Sequence, residues 1–126
     1  NGFALEGSDS NIADINLTKD AHILIAEDNR VNQQIVFETL NKYGYLPHVV
    51  GSGVEALDAL RESKYDLILM DCQMPEMDGY ETTKVIRNSE SLNCKEIPIV
   101  AMTANAIAGD KEKCIAAGMN DYISKP

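Results

Sequence analysis

Four positions in this 126-residue chain place polar, reactive side chains where an apolar run ends. Glu27 and Asp28 follow Ile23-Leu24-Ile25-Ala26, and Asp71 closes Leu67-Ile68-Leu69-Met70. Thr103 follows Ile97-Pro98-Ile99-Val100-Ala101-Met102, and Lys125 follows Tyr122-Ile123-Ser124. Brought together, three carboxylates would repel one another and raise each other's proton affinity, a state that a hard divalent cation relieves. Mg2+ is the expected ion, with Mn2+ as its substitute, because it takes few protein carboxylates and keeps coordination positions for phosphate oxygens. A phosphoryl group is then the implied guest. Lys125 offers it a cation and Thr103 a hydroxyl donor. Asp71 is the candidate nucleophile, since a carboxylate can attack phosphorus and form an aspartyl phosphate, while Glu27 and Asp28 would hold the metal. With no His, Cys or further acid standing as an obvious general base, such a pocket should accept a phosphoryl group and release it slowly.

Convergence of these residues requires that the apolar runs be strands of one parallel sheet, because open α/β sheets bind ligands beyond the carboxyl ends of their strands. The run His22 to Ala26 reads as a buried strand, and Val31, Ile35, Val36, Leu40 and Tyr43 recur at helical spacing behind it. Asp28 or Asn29 can cap that helix, and Gly44 can stop it in the left-handed conformation. Leu46 to Val50 reads as a second strand, placed at the sheet edge because Pro47 has no amide donor. A helix over Val54 to Ser63 leads to a central strand, Asp66 to Asp71, then to a loop, Met74 to Gly79, rich in turn residues. A third helix over Tyr80 to Ser89, a strand over Ile97 to Met102, a fourth helix over Ala106 to Ala117 stopped by Gly118, and a short strand Tyr122 to Ser124 complete the pattern. Strict strand–helix alternation with doubly buried strands predicts a three-layer α/β domain, a doubly wound parallel sheet with helices on both faces.

Taken one at a time, these residues carry plainer readings. Glu27-Asp28-Asn29 could be a helix cap, Asp71 a strand-end turn residue, Thr103 a cap and Lys125 a solvated charge. Their joint placement at one rim favours the site. Cys72 reads as a small buried apolar residue rather than a redox centre, and Met70, Met102 and Met119 as core filler, with Met74 and Met77 packing a loop. His22 and His48 have neither mutual spacing nor neighbouring ligands.

Composition sets the outer limits. Hydrophobic residues make up 44% and charged residues 25%, which suits one folded domain with one core. The 11 basic against 20 acidic side chains give a net charge of −9, so the mean field repels nucleic acid and anionic lipid and attracts cations or basic partners. Three cysteines without a Cys-x-x-Cys pair argue against a disulfide framework or a zinc site and fit a reducing cytosol. Residues 1–20 mix Gly, Ser, Asp and Asn without a sustained period and read as a flexible linker, which leaves 21–126 as the domain. Asn1 in place of an initiator Met suggests a piece of a larger parent chain. After strand five a sheet of this size would need one more helix on its open flank. That helix is absent from the sequence, so either the chain was cut, or another chain supplies the segment, or strands four and five expose apolar surface and invite association.

Residues 22–126 resemble the receiver domain of two-component response regulators. The resemblance rests on Glu27-Asp28, Met70-Asp71, Met74-Pro75-x-Met77-Asp78-Gly79, Ala101-Met102-Thr103-Ala104 and Lys125-Pro126, in that order. It implies a flavodoxin-like sheet of strand order 2-1-3-4-5, lacking here its last helix. It implies Asp71 as phosphoacceptor, Asp28 as direct Mg2+ ligand, Glu27 as an acid acting through water, Gln73 as a backbone-carbonyl ligand, and Thr103 and Lys125 as phosphoryl contacts. It further implies a switch in which Thr103 moves toward the phosphoryl group while Tyr122 turns inward, shifting a pre-existing equilibrium of the helix 4/strand 5 face. Gln73 and Asn105 would tune the phosphoryl lifetime, and the Lys125-Pro126 bond would be cis. Glu27 departs from the Asp that many members carry, which lengthens the reach to the metal by a methylene.

The details Glu27-Asp28-Asn29-x-Val31-Asn32, Tyr65-Asp66, Cys72-Gln73-Met74 and Gly118-Met119-x-Asp121-Tyr122 resemble receivers fused to hybrid sensor histidine kinases. The partners so implied are a kinase phosphohistidine domain as donor and a histidine-phosphotransfer protein as acceptor, with no direct nucleic acid or membrane contact. A dimer through the helix 4/strand 5 face is a further expectation. The implied location is cytoplasmic, tethered to the inner face of a membrane through the parent kinase. Two other functions fit less well. A haloacid-dehalogenase-like phosphohydrolase would carry an acid two residues after the nucleophile, where Gln73 stands. A flavodoxin-like electron carrier would follow strand one with Ser, Thr and Gly rather than acids.

Overall fold

A computed structural model of the protein describes residues 20–92, 96–104 and 110–124. The elements alternate as expected: β1 Ile23–Ala26, α1 Arg30–Lys42, β2 His48–Val50, α2 Gly53–Glu62, β3 Leu67–Asp71, α3 Gly79–Asn88, β4 Ile99–Thr103, α4 Asp110–Ala117 and β5 Asp121–Ser124. All strand pairings are parallel, and the sheet order is β2-β1-β3-β4-β5. β2, the strand that Pro47 precedes, is outermost, and Leu46 stays 76% exposed before pairing begins at His48.

Alternate strand residues feed two separate cores. Leu24, Ala26, Ile68, Met70, Ile99 and Ala101 pack on one face with α2, α3 and α4, through residues such as Leu57, Leu60, Ile86 and Cys114. Ile23, Ile25, Leu67, Leu69, Val100, Met102 and Ile123 pack on the other with Val36 and Leu40 of α1. Because β1, β3 and β4 are covered on both sides, they read as unbroken apolar runs.

Three expectations need correction. The α1 spacing picked out Val31, Ile35 and Tyr43 beside Val36 and Leu40, but only the last two are buried, and Val31 is 67% exposed. Val31 and Ile35 lie one turn apart on a second stripe that faces away from the sheet. β4 begins at Ile99, two residues after the expected Ile97, and Thr103 ends it. Strands four and five do not expose apolar surface on the α1 side, where Val100, Met102 and Ile123 are each 0% exposed. The expected linker, apart from Asp20, lies outside the described residues, as does the start of the expected fourth helix.

Local signals set the helix ends. Asn29 caps α1, its side chain accepting from the Asn32 amide at 3.0 Å. Asp78 and Glu81 form a capping box at α3, with Asp78 Oδ1 accepting from the Glu81 amide at 2.8 Å and Glu81 Oε1 from the Asp78 amide at 3.1 Å. Gly44 and Gly118 leave their helices at φ 97° and 108°, the left-handed region expected of them.

Candidate functional site

Registry puts the candidate residues at one rim. Ala26 pairs with Met70 and Asp71 with Met102, so Glu27 follows its strand level with Asp71, and Thr103 ends the next strand over. Ligand atoms of the Glu27, Asp28 and Asp71 carboxylates all lie within 4.8 Å of one another. Glu27 and Asp71 are fully buried while Asp28 is exposed, so the cluster opens to solvent on the Asp28 side.

The two buried acids, Glu27 and Asp71, are each held by local hydrogen bonds. Glu27 Oε2 accepts from the Asn29 amide at 3.0 Å, its own amide donates to Val50 O at 3.1 Å, and its carbonyl accepts from Gln33 Nε2 at 2.6 Å. Asp71 Oδ1 accepts from the Gln73 amide at 3.1 Å, a side-chain turn that fixes the carboxyl at the strand end. The following loop is tied back by hydrogen bonds from Cys72 N to Met102 O and from Gly79 N to Cys72 O, both 3.1 Å. Position 79 admits no side chain, since a Cβ there would sit 2.2 Å from Asp71 O. Between them Glu76 takes φ 71°, and Met77 N donates to Pro75 O across it at 2.9 Å, a tight turn in a sparsely populated backbone region.

Thr103 is buried at the end of β4. Tyr122 of β5 is half-buried against the core on the α4 side. Asn105, Lys125 and the Lys125-Pro126 bond lie outside the described residues. The rim therefore gathers Glu27, Asp28, Asp71 and Thr103, with the Gln73 backbone beside Asp71.

Cys72 is buried as expected, but its surroundings were not legible. A hydrogen bond with the Cys114 thiol of α4 and burial push the Cys72 thiol well up from its ordinary value, opposed by a hydrogen bond with Tyr80. Reasoning from sequence also passed over Gln33 and Arg87. The Arg87 guanidinium donates to Gly118 O at 2.8 Å, Ile97 O at 2.7 Å and Asn120 Oδ1 at 2.8 Å, joining α3, the segment that leads into β4 and the α4–β5 turn. The Arg87 contacts reach 10 to 33 residues along the chain and the Gln33 contact only six, but both residues show a merely helical local pattern. His48 lies away from the acids, its Nδ1 2.6 Å from Tyr65 Oη with the two rings stacked.

Comparison with known proteins gives the same picture from outside. The sequence model described as "Response regulator receiver domain" matches residues 23–126. "Hybrid signal transduction histidine kinase B" of Dictyostelium discoideum is 49% identical over 113 residues, which cover 82% of this chain and 6% of that protein. This chain thus spans a small part of the relatives it matches. The receiver domain of sensor histidine kinase PA1611 from Pseudomonas aeruginosa PAO1, solved with a magnesium ion in its active-site cleft, superposes with a TM-score of 0.74. It is 45% identical, over 85% of this chain and 86% of that one. The receiver domain of Ssk1 from Saccharomyces cerevisiae, crystallised with the histidine phosphotransfer protein Ypd1, gives a TM-score of 0.77 at 36% identity, over 85% and 79% of the two chains. The acid cluster at the rim, the β2-β1-β3-β4-β5 order and these matches agree, and the chain belongs to the response regulator receiver domain family.

Proposed function

We propose that this domain is a phosphoacceptor in a two-component phosphorelay, with residues 21–126 as the acceptor module. Asp71 attacks phosphorus of a kinase phosphohistidine, the P–N bond breaks, and the imidazole leaves as the acyl phosphate forms on the carboxylate. Transfer onward to a histidine-phosphotransfer protein, or slow hydrolysis by water, returns Asp71 to the free acid. The reading rests above all on the clustering of three carboxylates, two of them fully buried, within 4.8 Å.

That cluster fits a hard divalent cation, because like charges taken out of water together are tolerable chiefly when a cation offsets them. Glu27, Asp28, Asp71 and the Gln73 carbonyl would hold Mg2+ or Mn2+. When bound, the ion supplies positive charge that offsets the acids and the phosphoryl oxygens. The Gln73 amide and the buried rim hold the Asp71 carboxyl in place, and Thr103 and Lys125 act on phosphoryl oxygens as hydroxyl donor and cation. Motion of Thr103 toward that group, with Tyr122 turning inward, would present a changed α4–β5 face to a partner or a second copy. The hybrid-kinase relatives make a parent sensor kinase the natural source of the phosphoryl group. Among the described residues, no helix is long and apolar enough to cross a membrane.

Incubation with Mg2+ and acetyl phosphate should give a single alkali-labile acyl phosphate by intact-protein mass spectrometry. Removal of Mg2+ with EDTA should prevent it, and Asp71→Asn should abolish it. An Asp71→Asn protein labelled to the wild-type extent would refute the assignment of the nucleophile.

A further inference from the structure

We propose that Gln33 of α1 is a positioning residue for the acidic pair, holding the peptide unit that joins Glu27 to Asp28 and so setting the direction of the Asp28 carboxylate toward a divalent cation. The inference rests on the metal-assisted reading above and names a residue outside the rim. Asp28 is exposed, and its carboxylate makes no hydrogen bond among the described residues, which leaves its backbone as the described feature that aims it. Glu27, by contrast, is held on both sides of its α-carbon. Its amide donates to Val50 O at 3.1 Å, and its carbonyl accepts from Gln33 Nε2 at 2.6 Å. The second bond acts on the plane that carries the Asp28 nitrogen, and through it on the Asp28 Cα–Cβ direction.

Gln33 is itself well fixed. Its amide donates to Asn29 O at 2.9 Å, so it sits in the first turn of α1, directly over the loop it holds. On the β2–α2 side, a Cβ at Gly51 would lie 3.6 Å from Gln33 Nε2, so the amide is packed beside that turn. The neighbouring Gln34 provides an internal contrast, since its amide donates to Glu38 on the exposed face at 2.9 Å. At position 33 the terminal amide of glutamine supplies the donor that reaches the Glu27 carbonyl. Partners that orient ligands in this way change metal affinity without touching the metal.

The test uses the whole chain and Mg2+ alone. Gln33→Met keeps length and volume but removes the donor, and loss of one neutral hydrogen bond corresponds to roughly a 5-fold weaker Mg2+ affinity by titration calorimetry. Gln34→Met should bind as the wild type. In EDTA, amide chemical-shift changes in Gln33→Met should centre on residues 26–30 and 50–51 while the melting temperature stays near wild type. Equal Mg2+ affinity in Gln33→Met and wild type would overturn the role of Gln33 and leave the phosphoacceptor reading intact. Global unfolding of Gln33→Met in EDTA would also overturn it, since the residue would then be a general support. Wild-type protein that binds no Mg2+ would remove the phosphoacceptor reading and this inference together.

Discussion

Cys72 directly follows Asp71, the acid we propose as acceptor, yet its side chain packs into the core. Its side chain belongs to the core between the sheet and α2–α4, against Cys114, and both thiols are buried. The Cys114 hydrogen bond and burial both favour the protonated thiol, so the nucleophilic thiolate is scarce across the physiological range. In native protein at neutral pH, both thiols should therefore resist iodoacetamide and react only on unfolding, as peptide mass mapping would show. Rapid native labelling of Cys72 would contradict its placement. At this scale the sequence was informative where chemistry is local. Acids at the ends of apolar runs marked the rim, and a small thiol in an apolar run marked the core. Gln33 and Arg87 were invisible because both bind mainly backbone carbonyls, Arg87 across the fold and Gln33 six residues back, which leaves no trace in residue type or spacing.

The β3–α3 connection shows how an element serves the site. Asp78 and Glu81 close the start of α3, while Gly79 lets the helix approach the Asp71 carbonyl more closely than any side chain permits. Gly79→Ala should cost about 2 kcal/mol or more in denaturant unfolding, because the clash is with the Asp71–Cys72 backbone and not with a movable side chain. A variant as stable as wild type would mean the loop yields easily. The Asp-Gly pair was legible as turn chemistry, and Glu81 three residues after Asp78 was a capping-box signal that the reading by turns overlooked. α1 shows the opposite limit. Its apolar residues form two stripes, and spacing alone does not say which one meets the sheet. Val36 and Leu40 do, packing in one buried cluster with Ile23, Ile25, Leu67 and Leu69 of the strands.

The whole molecule is graded from centre to edge. β1, β3 and β4 are buried along their full length and bonded on both sides, whereas β2 and β5 lie outermost and are partly exposed. Native-state hydrogen exchange should therefore be slowest in β1, β3 and β4 and clearly faster in β2 and β5. Equal protection of β2 and β3 would argue against this gradation. Fold class was legible because doubly covered strands declare themselves as continuous apolar runs, and Pro47 located an edge. The order of the remaining strands came from family resemblance, since nothing in an apolar run says which neighbour it takes.

The same uniformity bears on β3. A strand greasy on both sides has no reading frame of its own, because sliding it by one position trades one apolar neighbour for another. The frame has to come from punctuation at its ends. At the start, Asp66 exchanges two hydrogen bonds with His22, its amide donating to His22 O at 2.7 Å and its Oδ2 accepting from the His22 amide at 2.8 Å. At the finish stands Asp71, locked by Gln73. The acid that we assign to chemistry is thus also a full stop in the folding grammar, and an evolutionary edit that moved it would misplace the strand as well as the reaction.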